Sequence, residues 1–297
     1  MLTIVYYTNE SKRLDFKQYY YPKKFVIMMS ITLVVSESDP ASKSMSIYLE
    51  KEKKFVPTQQ NDILFSNLYK NILLYKSKNS LLFTNNLDNK FPNSEVFIFL
   101  SKHQSNSKFP SLTCHFTGNF ENNRYGGNSY ELGISYPSLQ KIYLQHLDDI
   151  KEKLHPFAIT IEATHHGPTS IKKPIMFVEI GSTEKEWGNI TIASLICDCI
   201  LSVISNPINH QKKIGIGLGG THYGSKFNNI IINSDIAMGH ISSKYNLCNV
   251  NEDLLNQMIT KCHEKITHII LDNKGLGNEK QRIFDLIKHT GLDILKI

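Results

Sequence analysis

The chain has 297 residues and a formal net charge of +6, from 33 Lys and Arg against 27 Asp and Glu. Hydrophobic residues make up 41% and charged residues 20%, the proportions of a globular protein long enough to bury a full core. The longest apolar run, Phe25–Val35, is broken by Ser30 and Thr32 and is too short to span a bilayer. Five scattered cysteines, an odd number, argue against a disulfide framework and for reduced, buried thiols. The mild positive charge suits a polyanionic partner without requiring one, since a solvated lysine surface gives the same sum.

Residues 1–28 read as an N-terminal extension, Tyr-rich and of mixed charge, without the apolar stretch of a signal peptide. A single domain is expected over residues 29–297. Its first strand is Ile31–Val35, followed by the turn Ser38-Asp39-Pro40 and a helix to Leu49. Short strands are expected at Asp62–Phe65, Ile72–Tyr75 and Leu81–Phe83, and a strongly buried one at Glu95–Leu100. That last strand should end in the polar loop Ser101–Ser105. Gly126-Gly127 predicts a close backbone approach.

Leu139, Tyr143, Leu147, Ile150 and Leu154 recur at helical spacing, which predicts an amphipathic helix over Pro137–Leu154. Strands follow at Phe157–Ile161 and Ile175–Ile180, with Thr183 and Glu186 placed to cap the helix that runs to about Ser205. The segment Lys213–Gly220 is a glycine-rich strand. It lacks the spacing of a dinucleotide fingerprint and reads instead as a place where a ligand meets the backbone. A helix at Glu252–Glu264, a strand at Ile266–Leu271, a helix to His289 and a last strand at Leu292–Ile297 complete an alternation that points to a layered α/β fold.

Chemistry concentrates at Glu162-Ala163-Thr164-His165-His166-Gly167-Pro168-Thr169. Two adjacent imidazoles beside a carboxylate, at the point where a buried strand gives way to a Gly-Pro turn, suit metal binding or proton transfer. The competing reading, histidines satisfied by packing, applies most to His146, His155, His210, His263, His268 and His289 and stays open for His240.

Five ordered motifs resemble one family: Ser101–Ser105, Thr113–Asn119, Glu162–Thr169, Phe177–Ser182 and Gly219–Tyr223. Together with Asp272-Asn273-Lys274-Gly275 they are similar to the D-aminoacyl-tRNA deacylases of archaeal and plant type, over Ile31 to the C-terminus. The resemblance implies a three-layer α/β/α sandwich with a mixed, mostly parallel sheet, phosphorylase/hydrolase-like and shared with peptidyl-tRNA hydrolase. It implies hydrolysis of the ester between a D-amino acid and the tRNA 3′ end, as a safeguard of translation, and a zinc requirement (Zn2+). A cytoplasmic monomer with tRNA as partner and no membrane contact is the matching expectation.

The catalytic candidates are His165, His166, Glu162 and Thr221. For the metal, His166 and His222 are the first choice, with His240, Glu162 or Glu179 completing the set and His165 left as general base. Backbone amides of Gly219, Gly220 and Thr221 are candidates for an oxyanion hole. A metal-free alternative places Thr164, Thr169 or Thr221 beside a histidine. Substrate contacts are expected from His103, Ser105, His115, Asn119, Gly126, Gly127, Thr169, Lys172, Lys173, Gly219, Gly220 and Tyr223. The pair Lys212-Lys213 is a further phosphate candidate, and Tyr125 or Tyr223 would stack the terminal adenine. Two alternatives compete: a nucleoside phosphorylase-like enzyme, suggested by the glycine-rich strand, and a tRNA-binding module without hydrolysis.

Overall fold

A computed structural model describes residues 29–297; the expected extension at residues 1–28 lies outside the described residues. In chain order the first elements are β1 (Ile31–Ser36), α1 (Pro40–Lys51), β2 (Val56–Pro57), β3 (Ile63–Phe65), β4 (Ile72–Ser77), α2 (Leu87–Lys90), β5 (Val96–Gln104) and β6 (Ser111–His115). Then come α3 (Pro137–Asp149), α4 (Lys151–Leu154), β7 (Ala158–Ile161), β8 (Ile175–Ser182), α5 (Glu184–Trp187) and α6 (Ile190–Ile204). The last are β9 (Lys213–Leu218), α7 (Ser225–Asn233), β10 (Ile236–Ser242), α8 (Glu252–Thr260), β11 (His268–Leu271), α9 (Lys280–Ile287) and β12 (Asp293–Lys296).

Eight strands form one mixed sheet in the order β2-β3-β4-β1-β5-β8-β6-β7. Its centre is parallel, with β1 between β4 and β5, and β5 beside β8. The antiparallel pairs are β2–β3, β3–β4 and β6–β8. The α/β architecture with a mostly parallel sheet is therefore as the sequence implies. Beyond that expectation, β10-β9-β11-β12 form a second, wholly parallel sheet.

Side-chain alternation along the strands explains how these layers stack. Leu33, Val35, Ile98, Leu100, Met176 and Val178 face α1, α3 and α6 in the largest core. Their neighbours Val34, Phe97, Phe99 and Phe177 face the other way, onto Leu81, Leu87, Phe91 and Ile171. The second sheet buries Ile214, Ile216, Ile269 and Leu271 against α8 and α9. Its opposite side sends Met238, Ile241 and Ile270 into the main core, next to Phe227 and Ile231 of α7.

Several expectations need correction. Leu81–Phe83 is a single 3-10 turn, because Leu81 is drawn inward onto the sheet while Phe83 stays exposed. Ser101–Gln104 continues β5, where Ser101, Lys102, His103 and Gln104 pair with Glu179 through Ser182. The amphipathic helix breaks at Ile150 into α3 and α4. Glycines of β9 serve packing and leave no room for a ligand: a Cβ on Gly217 would meet Ile241 Cγ1 at 2.9 Å, and one on Gly215 would meet Ile270 Cγ1 at 2.9 Å. The Thr183–Glu186 capping box forms as expected, but it opens the short α5, and Asn189 caps α6 separately. All five cysteines are free, with Cys114, Cys197 and Cys199 buried and Cys248 exposed.

Candidate active site

The chemistry-bearing residues collect where parallel strands end. β5 delivers His103, β7 runs into Glu162, β8 carries Glu179, and the segment after β9 brings His222 and Tyr223. Clefts beyond the carboxyl ends of parallel strands are the usual place for a site in an open α/β sheet. Here a cleft of about 1000 Å³ is lined by His103, Glu162, His165, His166, Glu179, His222 and Tyr223, with Lys102, Arg124 and Tyr125 also in its wall.

Three imidazoles meet at its base. His115 stacks on His165 with ring centroids 4.1 Å apart, and His165 lies 4.4 Å from His166. In each ring Nδ1 faces a backbone carbonyl: His115 to Phe116 O at 3.2 Å, His165 to Ala163 O at 2.8 Å, His166 to Gly167 O at 2.7 Å. A carbonyl only accepts, so Nδ1 carries the hydrogen and Nε2 keeps its lone pair. His166 reaches this position through a left-handed backbone, φ +45°, which the following Gly167-Pro168 turn holds.

Burial keeps two of these rings neutral. His165 is held well below the ordinary histidine range by desolvation and by the neighbouring histidines. His166 is pushed down to about 4 by desolvation, with His115 adding to the effect. His115 goes the other way. Burial would lower it, but Glu179, whose Oε1 is 3.7 Å from Nε2, raises it.

Beside the triad sits a carboxylate-rich knot. Glu162 is 2% exposed and Glu179 5%. His103 Nδ1 lies 3.0 Å from Glu162 Oε1 and 3.3 Å from Glu179 Oε2. Its single hydrogen is directed at Glu179, so Glu162 Oε1 has a cation nearby yet no hydrogen bond of its own. Desolvation disfavours the His103 cation, but the two carboxylates outweigh it and raise the ring to about 11. They are themselves held low by the same contact, Glu179 at about 2 despite its burial. Glu162 Oε2 also accepts from His222 Nε2 at 2.7 Å, and His103 Nε2 lies 2.8 Å from the Tyr223 hydroxyl.

The donor set suits a metal ion. Among the described residues, three groups of side chains bring ligand atoms within 4.8 Å of one another: His115–His165–His166, Glu162–His165–His222 and His103–Glu162–Glu179. Two atoms in them, His115 Nε2 and Glu162 Oε1, are buried without a hydrogen-bond partner. Imidazoles fixed by Nδ1–H donation to carbonyls, with Nε2 open, are what zinc coordination needs from its surroundings. The third group fits less well, because its two carboxylates raise His103 to about 11 and both His103 nitrogens already have partners.

Expected residues fall into three groups. Glu162, His165, His166, His222, Glu179, Tyr223 and His103 are brought together, and His115 joins them as part of the triad, where a substrate contact was expected. His240 does not join: in β10 it is fully buried, Nδ1 bonds Thr164 Oγ1, and Nε2 faces the carbonyls of Gly133 and Lys261 at 3.1 Å. With both nitrogens occupied it is a structural histidine. Thr221 turns away too; its hydroxyl donates to Tyr223 O at 2.7 Å and it is not in the cleft wall. Gly219 cannot serve an oxyanion hole, since its N–H donates to Ser242 O at 2.9 Å.

Asn119 and Ser105 line the cleft, whereas Lys172 and Lys173 do not. Asn119 Nδ2 donates to Gly126 O and Asn128 O. Thr169 is buried and acts on the same loop, accepting from Asn128 N at 2.8 Å and donating to Glu131 at 2.6 Å. Gly126 makes the close approach its sequence suggests, for a Cβ there would lie 2.0 Å from Leu82 O. Sequence reasoning named neither Lys102 nor Arg124 as a site residue: Lys102 lies inside the Ser101–Ser105 motif, from which only His103 and Ser105 are named, and no motif marks Arg124.

A family model described as D-aminoacyl-tRNA deacylase matches residues 90–295. Among proteins named D-aminoacyl-tRNA deacylase, that of Cenarchaeum symbiosum is 35% identical over 67% of this chain and 76% of its own length. The one from Pyrococcus abyssi is 37% identical over 68% of this chain and 74% of its own. The one from Methanococcus maripaludis (strain S2) is 33% identical over 86% of this chain and 94% of its own. A crystal structure of AF0625, described as a conserved protein of unknown function, superposes with a TM-score of 0.83 at 26% identity, covering 91% of this chain and 95% of that one.

Proposed function

The chain belongs to the D-aminoacyl-tRNA deacylase family, and from that premise we propose that it hydrolyses the ester joining a D-amino acid to the 3′ end of tRNA, with zinc assistance. One observation carries the zinc part: His115, His165 and His166 each spend Nδ1–H on a backbone carbonyl and leave Nε2 free in the same small space. These three would hold the ion, with Glu162 and His222 adjoining through the group they share with His165. Zinc bound there would supply a Lewis acid that polarises the ester carbonyl and makes water easier to deprotonate.

The protein's own groups then divide the work. His165 is better used as a ligand than as the free base the sequence suggested, because it belongs to two donor groups. Glu162 accepts from His222 Nε2–H and so fixes the tautomer whose Nδ1 can take the proton of the attacking water. An ester needs no amine-like leaving-group help, but the ribose oxygen must gain a proton. The Tyr223 hydroxyl, fixed by His103 in the cleft wall, is placed to hydrogen-bond that oxygen. His103, pinned by two carboxylates, is a positioning residue. The glycine-rich strand that suggested a phosphorylase serves packing, since a Cβ on Gly215 or Gly217 would collide with Ile270 or Ile241, and no other observation favours that reading. The complete histidine and carboxylate cluster favours an enzyme over a binding module.

The test is release of amino acid from D-Tyr-tRNA and L-Tyr-tRNA by purified protein, with metal content measured alongside. Hydrolysis of the D-ester that falls on chelation and returns with zinc is expected. D-selective hydrolysis in a protein with no bound metal would keep the deacylase and remove the zinc. No D-selective hydrolysis in any condition would remove both.

A further inference from the structure

Two aromatic side chains are exposed at or next to the cleft: Tyr125, in its wall, is 57% exposed, and Tyr245, outside the wall but adjacent in sequence to the lining residue Asn246, is 64% exposed. Each has a cation beside its ring. Arg124 Cζ lies 5.5 Å from the Tyr125 centroid, and Lys244 Nζ lies 5.1 Å from that of Tyr245. The pairs come from different loops but are tied to one site. Gly167 N–H, one residue past His166, donates to Tyr125 O at 3.0 Å. Lys244 N–H donates at 2.8 Å to the carbonyl of Gly220, two residues before His222. Arg124, Tyr125 and Asn246 belong to the cleft wall. One pair thus adjoins the histidine cluster from the His166 side and the other from the His222 side.

A lone exposed aromatic carries no message. Two aromatic–cation pairs anchored around one reaction centre match what an unpaired nucleic-acid strand requires: a flat π face for a base and a positive charge for the phosphate beside it. We propose that Tyr125 with Arg124, and Tyr245 with Lys244, are stacking platforms for bases of the unpaired 3′ end of the substrate RNA, each cation meeting a neighbouring phosphate. The inference rests on the deacylase reading, since an ester carried on a single-stranded end must pass this rim to reach the histidines. It replaces Lys172 and Lys173 as the anchor of the acceptor end, because Arg124 and Tyr125 line the cleft and Lys244 is tied by its backbone to Gly220, two residues before His222. Because every base offers a π face, such a rim selects for an unpaired strand and not for its sequence.

The experiment uses the full chain and two RNAs: an uncharged tRNA, and the same tRNA trimmed of its unpaired 3′ end. Binding is read by fluorescence anisotropy across a salt series, and D-Tyr-tRNA deacylation is measured in parallel. Tyr125→Ala and Tyr245→Ala should each weaken binding of the intact tRNA by roughly 5- to 150-fold, the range of one base–aromatic stack. They should add nothing to the weaker binding of the trimmed RNA. Phe at either position should restore affinity, which a merely structural loss would not allow. Arg124→Ala and Lys244→Ala should each flatten the salt slope by about 0.7, the value for one single-strand phosphate. Unchanged binding of intact tRNA by both alanine variants, or equal losses on both RNAs, overturns the proposal. Platform-dependent binding by a wild-type protein that hydrolyses no D-ester would instead sink the deacylase reading and leave the rim standing.

Discussion

Replacing Glu162 with Gln removes one charge from the knot while keeping its shape, and the contacts set the size of the effect. Glu162 faces His222 Nε2 at 2.7 Å and His103 Nδ1 at 3.0 Å, and it is 2% exposed. A carboxylate can only accept from His222, which leaves Nδ1 as the base; a carboxamide can donate and so stabilise the opposite tautomer. Loss of an oriented base costs roughly 10²–10⁴ in kcat. His103 keeps Glu179 at 3.3 Å, so the stability cost should sit near the lower end of the ~3–5 kcal/mol typical of a broken buried pair. Thermal unfolding should therefore move down by roughly 5–10 °C. Single-turnover deacylation of D-Tyr-tRNA separates the two effects, because KM should change far less than kcat. A Glu162→Gln enzyme within threefold of the parent in kcat would mean that Glu162 orients nothing the reaction uses.

Two other predictions follow from the same geometry. His166→Ala should strip bound zinc and activity together, whereas His240→Ala should keep the zinc but lose about 2–4 kcal/mol of stability, from the cavity and the unpaired Thr164, Gly133 and Lys261 groups; zinc loss in His240→Ala would return it to the ligand set. Stability of the metal-free protein should peak near pH 6.5, the unfolded histidine value. Below that pH the unfolded chain takes protons that folded His165, His166 and His240 refuse, the last two being held at about 4, so stability falls by up to ~1.4 kcal/mol per histidine per unit. Above it, folded His103 keeps its proton until about 11 and His115 is also raised, so stability falls again. Urea melts of chelated protein from pH 4.5 to 9 check this, and a curve still rising toward pH 4.5 would refute it.

Strands were readable because their burial on both faces leaves near-continuous apolar runs, as in Glu95–Leu100 and Ile175–Ile180. Their ends were not, because β5 runs on through the polar Ser101-Lys102-His103-Gln104, held by pairing with β8. Hydrophobicity stops where the functional residues begin, while the backbone ladder continues beneath them. The second sheet was hidden for a related reason. Its strands alternate with helices like those of the first, and only packing decides which strands share a ladder.

The site was legible as a list and not as a division of labour. Glu162, His165, His166 and His222 stand out by motif, but little in the sequence separates His222 from His240, since each comes shortly after a glycine near an apolar strand. The difference lies in what each ring meets: His222 a buried carboxylate and open cleft, His240 a hydroxyl and two carbonyls. His115 and His103 were undervalued because their partners are far off in sequence. Glu179 reaches His115 only because β6 runs antiparallel to β8, and reaches His103 only because β5 runs parallel to it on the other side. One central strand, β8, therefore carries a carboxylate that raises the pKa of two histidines on its two neighbours. A shift of β8 by one residue would send Glu179 to the opposite face and unmake the knot entire, which ties this site's electrostatics to the register of the sheet.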